Sequence, residues 1–248
     1  MEVQFIVAPY EADAQLTYLT KSGLVDFVII EDSDLLPYGC STVVFKLDKS
    51  GNGKEVKIEN LNSCTNPLSF EEFSHTQFRR MCILSGCDYL SSPPGLGIRT
   101  AHSLFSNSES YRDVIAHLRD SRSYTFPVSY EELYRRAELT FLHQRVWDPL
   151  TQSVIHLNPL TEDLLSEDLS FLGEHIEPEL GYQIANGLCN PQTHQPWTKS
   201  LTLTKKIVPQ KIFIQTKSKQ SSRLENSYHS KYIYNILFMS ISKNNFKN

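Results

Sequence analysis

DFVIIEDSD, at residues 26–34, places an apolar run directly before a group of acidic side chains. The run at 27–30 has no polar residue at alternate positions, which is typical of a strand buried on both faces of a parallel sheet. A helical pattern at 11–22, stopping at Gly23, precedes this strand, and a second apolar run at 3–7 precedes the helix. The order strand, helix, strand predicts an α/β fold.

After the second strand, the pattern predicts a hairpin and then a series of helices. Residues 42–47 and 55–58 are predicted to form two strands, joined by the turn SGNG at 50–53. Four helices are predicted beyond the hairpin, over residues 78–86, 98–105, 111–118 and 130–143. Residues 162–190 are expected to add one or two short helices. Residues 191–248 are rich in Lys, Ser and Asn without a clean period, so we expect a basic, disordered tail.

Composition and charge restrict the class of protein. Hydrophobic residues make up 40% of the 248-residue chain and charged residues 21%, as in an ordinary globular protein. The net charge is −4, although residues 201–248 carry 9 basic against 1 acidic side chain. An acidic body argues against electrostatic coating of nucleic acid, so any DNA contact must be local or depend on a metal ion. We expect neither a membrane span nor a secretory signal, and five cysteines without paired zinc spacing favour reduced thiols in an intracellular compartment.

Five carboxylates at three places are the strongest chemical signal in the sequence. They are Glu11 and Asp13 at the start of the first helix, Asp32 and Asp34 after the second strand, and Asp88 after an apolar helix. A spacing of i, i+2 in an extended chain points both side chains to one side, and open α/β sheets bind ligands at the carboxyl ends of their strands. Oxygen ligands without histidine or thiolate suit Mg²⁺ or Mn²⁺ rather than zinc. The pattern therefore predicts a divalent-metal site.

Each acidic pair also has an ordinary structural interpretation. Glu11 and Asp13 stand where a carboxylate commonly caps a helix or complements its dipole, and Asp32 and Asp34 suit a turn. Two like charges roughly 4 Å apart repel by about 4 kcal/mol at an effective dielectric constant of about 20. Several carboxylates gathered in one place would therefore need protons or a cation, which favours the metal site.

The turn SSPPGLG at 91–97 separates two predicted helices. Gly95 and Gly97 permit close approach of the backbone to a ligand, and the amides at the following helix start favour an anion. The turn therefore resembles a clamp on a DNA phosphate, although a plain Pro-Gly turn is an alternative. Either additional phosphate contacts or solvated surface charge would explain the nearby arginines Arg79, Arg80 and Arg99.

Three motifs, in the right order, carry a resemblance to a known family. They are APYEADAQ at 8–15, EDSDLL at 31–36 and CILSGCDYL at 82–90. The chain resembles the flap endonuclease and xeroderma group G class of structure-specific 5′ nucleases over about residues 3–190. The hairpin turn and FLHQRVWDP at 141–149 favour the exonuclease branch of that class.

This resemblance implies a fold and a function. Residues 1–75 would form the C-terminal half of a PIN-like nuclease core, a partial parallel sheet with flanking helices, and residues 76–190 a helical segment with a helix-two-turn-helix element. The implied function is a metal-dependent 5′→3′ exonuclease on double-stranded DNA and a 5′ flap endonuclease, acting in mismatch repair and end resection. The implied substrate is double-stranded DNA with a 5′ end, nick or flap. Mismatch-repair proteins are the implied partners, and the nucleus is the implied location.

The resemblance also assigns ligands residue by residue. Two Mg²⁺ ions, or Mn²⁺ in their place, would be held by the catalytic carboxylates Glu11, Asp13, Asp32, Asp34 and Asp88. A K⁺ ion that bridges to a DNA phosphate would be held by Ser85, Ser92 and the carbonyl oxygen of Leu96. The implied DNA-binding positions are Gly95, Gly97 and Arg99.

Relative to this family, the chain begins inside the second half of the nuclease domain. We therefore expect it to lack the first central strand, two further acidic ligands and the basic helical arch, which would leave an exposed sheet edge and marginal stability. Positioning and electrostatics supply most of the rate in phosphoryl transfer, so a catalytically inactive DNA-binding fragment is an alternative. A related flap endonuclease or junction resolvase is another.

Overall fold

The computed structural model describes residues 4–197 and two short strands beyond them. The described α-helices are α1 (Ala12–Lys21), α2 (Leu35–Tyr38), α3 (His75–Leu84), α4 (Ile98–Ser106), α5 (Tyr111–Asp120), α6 (Tyr130–His143) and α7 (Pro178–Ala185). The described strands are β1 (Val28–Ile30), β2 (Thr42–Phe45), β3 (Lys54–Lys57), β4 (Arg145–Asp148), β5 (Ser153–His156), β6 (Phe213–Gln215) and β7 (Leu237–Met239). Short 3₁₀ helices span Ile58–Ser63, Glu162–Ser166 and Ser170–Leu172. Within the described part of the chain, no helix is long and apolar enough to cross a membrane.

A mixed sheet is built around β1, as the apolar run predicted. β2 pairs with β1 in parallel, with Val28 opposite Val43, and β6 pairs with β1 in parallel on the other side. β3 and β7 add antiparallel outer strands, so the order is β3-β2-β1-β6-β7. Val28 and Ile30 are at most 3% exposed, as expected for a central strand. The α/β prediction is confirmed, but the expected bare edge beside β1 is wrong because β6 pairs there.

The apolar run at 3–7 does not form the strand that its sequence predicts. Ile6 and Ala8 are buried, yet residues 4–8 pair with no strand in the described part of the chain. The main-chain N–H of Val7 donates instead to the carbonyl oxygen of Ala185, at the end of α7, over 3.0 Å. The end of α7 therefore supplies the hydrogen-bond acceptor for the Val7 N–H that a neighbouring strand would otherwise provide.

Two apolar clusters hold the described residues together. One consists mainly of side chains from α3, α4, α5 and α6, with Phe105, Tyr134 and Phe141 almost fully buried. The other surrounds β1 and the buried face of α1, where Leu16 and Leu19 are fully buried. The predicted helices α1 and α3 to α6 form because their apolar residues recur at helical spacing and so share one buried face.

The hairpin of β4 and β5 lies inside the segment 76–190 that the sequence predicted to be helical. Its two strands pair antiparallel, with Trp147 opposite Val154. The carboxylate of Asp148 closes the turn by accepting bonds from the main-chain N–H groups of Leu150, at 3.0 Å, and Thr151, at 3.2 Å. Strands of four residues are too short to show a clear alternation in the sequence, which explains why the prediction missed them.

Three described pieces of the tail do not fit the prediction of disorder over 191–248. Residues 191–197 form a turn in which Pro196 bridges to Cys189, and β6 and β7 pair with each other at the edge of the sheet. Unpaired N–H and C=O groups along β1 favour the addition of a strand at this edge. For residues 198–212, 216–236 and 240–248, the predicted disorder lies outside the described residues.

A substitution at Gly173 should reveal how closely the N-terminal segment packs against the chain before α7. Gly173 has φ +99°, and a Cβ there would lie 2.5 Å from Cζ of Tyr10. We expect Gly173→Ala to lower the free energy of unfolding by about 2–4 kcal/mol, because backbone strain adds to overpacking. Gly23→Ala is the control, since Gly23 also has positive φ (+71°) but nothing lies within 4 Å of its added Cβ. Equal losses in chemical denaturation would contradict the packing argument.

Candidate metal centre

The first pair of carboxylates lies at the N-terminal end of α1. Glu11 is the N-cap residue, with φ −76° and ψ 128°, but its side chain makes no capping hydrogen bond. Asp13 lies in the first turn and is half-buried. The capping interpretation is therefore wrong for Glu11, whose carboxylate stays available for another partner.

The second pair follows β1 through a turn rather than an extended segment. The main-chain N–H of Asp34 donates to Oδ1 of Asp32 over 3.1 Å, and Asp34 has helical angles of φ −68° and ψ −16° at the start of α2. The i, i+2 argument from extended chain is therefore wrong, since this Asx turn bends the backbone between the two residues. The carboxylate of Asp34 makes no capping bond to α2.

Asp88 lies at the tip of a tight turn after α3. Cys87 and Leu90 close the turn, with N–H to O distances of 2.9 and 3.2 Å in the two directions. Asp88 itself is exposed, whereas Leu90 is buried. The turn therefore presents the Asp88 carboxylate on a base that is fixed to the helical core.

The five carboxylates are close enough to act on each other's protonation. Burial, reinforced by Asp88 and Asp34, raises the pKa of Glu11 to about 7. Burial, reinforced by Asp32 and Asp88, raises the pKa of Asp34 to about 6. Burial and all four of the other carboxylates raise the pKa of Asp13 well above its ordinary value. The structure thus brings together the acidic residues that the sequence singled out.

The donor set of this acidic centre fits a hard divalent cation. Burial and neighbouring carboxylates cause all three upward pKa shifts. In the described part of the chain, no three His, Cys, Asp or Glu side chains stand close enough to enclose a metal ion. Mg²⁺ usually retains several waters and takes only one or two carboxylates directly. The oxygen-only ligands therefore suit it without a closed cage.

Two cysteines border the acidic centre without adding a ligand. Burial, and then Asp34, raises the pKa of the Cys82 thiol to about 12, and burial raises the pKa of the Cys87 thiol to about 11. Both thiols are free and pack against the helical core. Because only the thiolate binds metal strongly, both stay outside the donor set.

An aromatic wall beside the acidic centre was missed by the sequence analysis. The hydroxyls of Tyr38 and Tyr89 lie 2.5 Å apart, and both rings pack edge-on against Phe141. Burial raises the pKa of both tyrosines well above the ordinary value, and the neighbouring Glu11 and Asp13 raise it further. These two residues are 51 positions apart in the chain, and no periodicity or spacing relates them.

The turn after Asp88 brings Ser92 close to Gly86, the residue that follows Ser85. Ser85 Oγ donates to the carbonyl oxygen of Cys82 over 2.9 Å. A Cβ built on Gly86, the residue after Ser85, would lie 3.4 Å from the main-chain nitrogen of Ser92. The segments that contain the two serines therefore pass close to each other. Leu96 is buried and donates its main-chain N–H to the Pro93 carbonyl oxygen over 3.0 Å.

The predicted phosphate-binding positions begin α4. Gly97 is the N-cap of this nine-residue helix, and Gly95 has φ +82°. A Cβ built at either glycine would meet nothing within 4 Å, so the backbone is open to a ligand there. Arg99, in the first turn, is exposed.

Arg79 and Arg80 serve the core of the helical segment. Arg80 Nε donates to Oε1 of Glu138 over 2.6 Å, and its guanidinium lies over the ring of Tyr111. Arg79 is buried, with Nη2 3.8 Å from the same carboxylate oxygen. Of the two alternatives left open by the sequence, phosphate contact is wrong for both arginines, and solvated surface charge is wrong for the buried Arg79, because Glu138 of α6 supplies their counter-charge.

Comparison with known proteins shows which family model and which relatives are similar to this chain. Residues 2–88, which include all five carboxylates, match the XPG I-region. Exonuclease 1 of Oryza sativa subsp. japonica is 46% identical over 196 residues, covering 79% of this chain and 23% of the relative. Exodeoxyribonuclease 1 of Schizosaccharomyces pombe is 38% identical over 194 residues, covering 77% and 33%. Over residues 2–88 the chain is thus similar to the I-region of the XPG family.

Over more than three quarters of its length the chain is similar to proteins of the exonuclease 1 type, as the motifs predicted. It spans about a quarter to a third of the length of these two relatives. Among solved structures, the flap endonuclease-1 of Methanococcus jannaschii is similar at 24% identity and a TM-score of 0.38, over 52% of this chain and 37% of that one.

The stability of the chain should depend on pH through the acidic centre. Glu11 and Asp34 have ordinary pKa values of 4.5 and 3.8, raised on folding to about 7 and about 6. Their stabilising contribution is therefore complete below pH ~4, where both states are protonated, and is lost as the pH rises through ~7. In EDTA, we expect the free energy of unfolding to fall between those limits.

Chemical denaturation at pH 4 to 8 checks this expectation with two variants. Glu11→Gln should reduce the fall, because the amide cannot ionise. Glu72→Gln, at an exposed position outside the acidic centre, is the control and should leave the slope unchanged. A fall of the same size in Glu11→Gln and in the unchanged chain would disprove the assignment.

Proposed function

We propose that this chain is the catalytic and DNA-gripping part of a metal-dependent 5′ nuclease, with 5′→3′ exonuclease activity on double-stranded DNA and 5′ flap endonuclease activity. The observation that carries the proposal is the convergence of five carboxylates on the ends of β1 and α1 and on the turn after α3. A structural role does not require so costly an arrangement. The match of residues 2–88 to the XPG I-region adds support, since all five carboxylates lie in that region.

The acidic centre would hold two Mg²⁺ ions, with Mn²⁺ as a substitute. Their ligands would be Glu11, Asp13, Asp32, Asp34 and Asp88. When bound, such ions stabilise an attacking water and a leaving oxygen of a phosphodiester. The hydrogen bond between Tyr38 and Tyr89 ties the turn that carries Asp88 to α2. Oxygen-only donors and protonated thiols support the choice of these metals over zinc.

The turn between α3 and α4 would grip the DNA backbone. The open amides around Gly95 and Gly97, together with the N-terminal end of α4, provide donors for a phosphate, and Arg99 adds charge. A K⁺ ion is proposed beside them, held by Ser85 Oγ, Ser92 and the carbonyl oxygen of Leu96. Ser85 Oγ uses its proton on the Cys82 carbonyl, which leaves its lone pairs for a cation.

The biological setting is part of the same proposal. We infer DNA with a 5′ end, nick or flap as the substrate, nuclear location, and a role in DNA repair with mismatch-repair proteins as partners. The name of the S. pombe relative, which specifies a deoxyribonuclease, supports DNA over RNA. Free thiols at all five cysteines agree with a reducing compartment.

A nuclease assay on a 5′-recessed duplex tests the proposed reaction directly. We expect Mg²⁺-dependent release of nucleotides from the 5′ end by the purified chain. Asp13→Asn should lower the rate by about 100-fold or more, because it removes the most deeply buried carboxylate of the acidic centre. Asp120→Asn, at an exposed carboxylate of α5, should cleave at the unchanged rate.

The same assay discriminates a second candidate function. The open turn at 91–97 would suffice for a DNA-binding module without catalysis. DNA binding without Mg²⁺-dependent cleavage would contradict the nuclease proposal and favour that module. Cleavage that survives Asp13→Asn would contradict the assigned site.

The proposed K⁺ site makes a separate prediction for DNA affinity. We expect tighter binding of a nicked duplex in KCl than in LiCl at equal ionic strength, by several-fold, because Li⁺ is too small for this set of ligands. Ser85→Ala should remove the difference, since it deletes a ligand oxygen. Ser103→Ala, at an exposed serine of α4, is the control. Fluorescence anisotropy measures the DNA affinity of the unchanged chain and of each variant in the two salts. Equal affinities of the unchanged chain in KCl and LiCl would refute the site.

A further inference from the structure

A buried glutamine joins α1 to the β4–β5 hairpin. Gln15 is fully buried, and its Nε2 donates to the carbonyl oxygen of Trp147 over 2.8 Å. Its Oε1 accepts the main-chain N–H of the same residue over 2.7 Å. The N–H and C=O of one strand residue point to the same side, so a single amide side chain replaces a strand partner there.

A second bond holds the next residue of the hairpin to the same helix. Tyr18, three positions after Gln15, donates its hydroxyl to the carboxylate of Asp148. Residues at i and i+3 lie on one face of a helix. Two consecutive hairpin residues are thus tied to two neighbouring positions of α1, which restricts both its rotation and its movement along its axis.

These bonds act on the helix that carries the first pair of carboxylates. Glu11 lies one turn before Gln15, and its carbonyl oxygen accepts the Gln15 main-chain N–H over 3.2 Å. The C-terminal half of α1 is held by apolar side chains such as Leu16 and Leu19 and by a bond from Lys21 Nζ to Asn158 Oδ1 over 2.6 Å. Apolar burial is non-directional and resists a small axial displacement less than hydrogen bonds do.

Repulsion among the carboxylates acts to displace α1. Glu11 and Asp13 lie close enough to Asp34 and Asp88, which belong to other elements, to repel them electrostatically. The repulsion therefore pushes the N-terminal end of α1 away from α2 and from the turn after α3. The directional bonds to Trp147 oppose that displacement.

We propose that Gln15 is a positioning residue. It holds α1 at the axial position from which Glu11 and Asp13 share divalent cations with Asp34 and Asp88. This inference rests on the proposed metal-dependent function. It assigns a role to a side chain that touches neither metal nor DNA, and it makes the hairpin, which lies outside the matched family region of residues 2–88, part of the metal centre.

Mn²⁺ binding by the purified chain tests the proposal, with free Mn²⁺ measured by its electron paramagnetic resonance signal. Gln15→Met keeps the length and approximate volume of the side chain but removes both bonds, and it should raise the Mn²⁺ dissociation constant at least tenfold. Tyr18→Phe removes only the second bond and should raise it less. Val114→Ala, a core substitution in α5, is the control: it should lower stability while leaving the dissociation constant unchanged.

Loss of stability alone cannot produce this pattern, because the control separates folding from metal affinity. An unchanged dissociation constant in Gln15→Met overturns the inference. If Gln15→Met fails to fold, Tyr18→Phe decides: a raised constant supports the inference and an unchanged one overturns it. Failure of the unsubstituted chain to bind Mn²⁺ would overturn the proposed metal centre itself, and the inference with it.

Discussion

Repulsion between carboxylates is the constraint around which this structure is organised. Glu11, Asp13 and Asp34 are held partly out of water and close to Asp32 and Asp88. Burial of like charge costs free energy unless protons or a cation are bound. The surrounding elements must therefore hold the carboxylates together against their mutual repulsion. A bound divalent cation would reduce that repulsion.

Much of this arrangement could be predicted because it is local in the chain. The apolar run before Asp32 identifies β1, and helical periodicity identifies α1 and α3 to α6 within a few residues of their ends. Once β1 is placed, the rule that α/β sheets bind ligands at the carboxyl ends of strands places Asp32 at that edge. The rule does not place Glu11, because residues 4–8 pair with no strand in the described part of the chain. The convergence of the acidic residues followed from the fold, even though the Asx turn at Asp34 differs from the extended chain that was assumed.

The contacts that hold the acidic centre in place could not be predicted, because each joins distant positions. Gln15 and Trp147 are 132 residues apart, Tyr38 and Tyr89 51, and Arg80 and Glu138 58. Each of these polar groups had several possible partners in the sequence, and only the packing of α1, α3 and α6 selects one. The run at 3–7 was mistaken for a strand for the same reason, since strand formation depends on a neighbour that the local sequence does not specify.

The helical segment connects the acidic centre to the proposed DNA grip through one short piece of chain. Asp88 and Gly97 are separated by nine positions, a contour of at most about 30 Å, and the packed ends of α3 and α4 shorten and fix the path between them. Tyr89 anchors one end of this piece on Tyr38, and Leu96 buries the other. A phosphate held at the start of α4 would therefore have a defined position relative to the carboxylates. Because positioning contributes strongly to phosphoryl transfer, the rigidity of this short connection matters as much to the proposed reaction as the charge of the acidic centre.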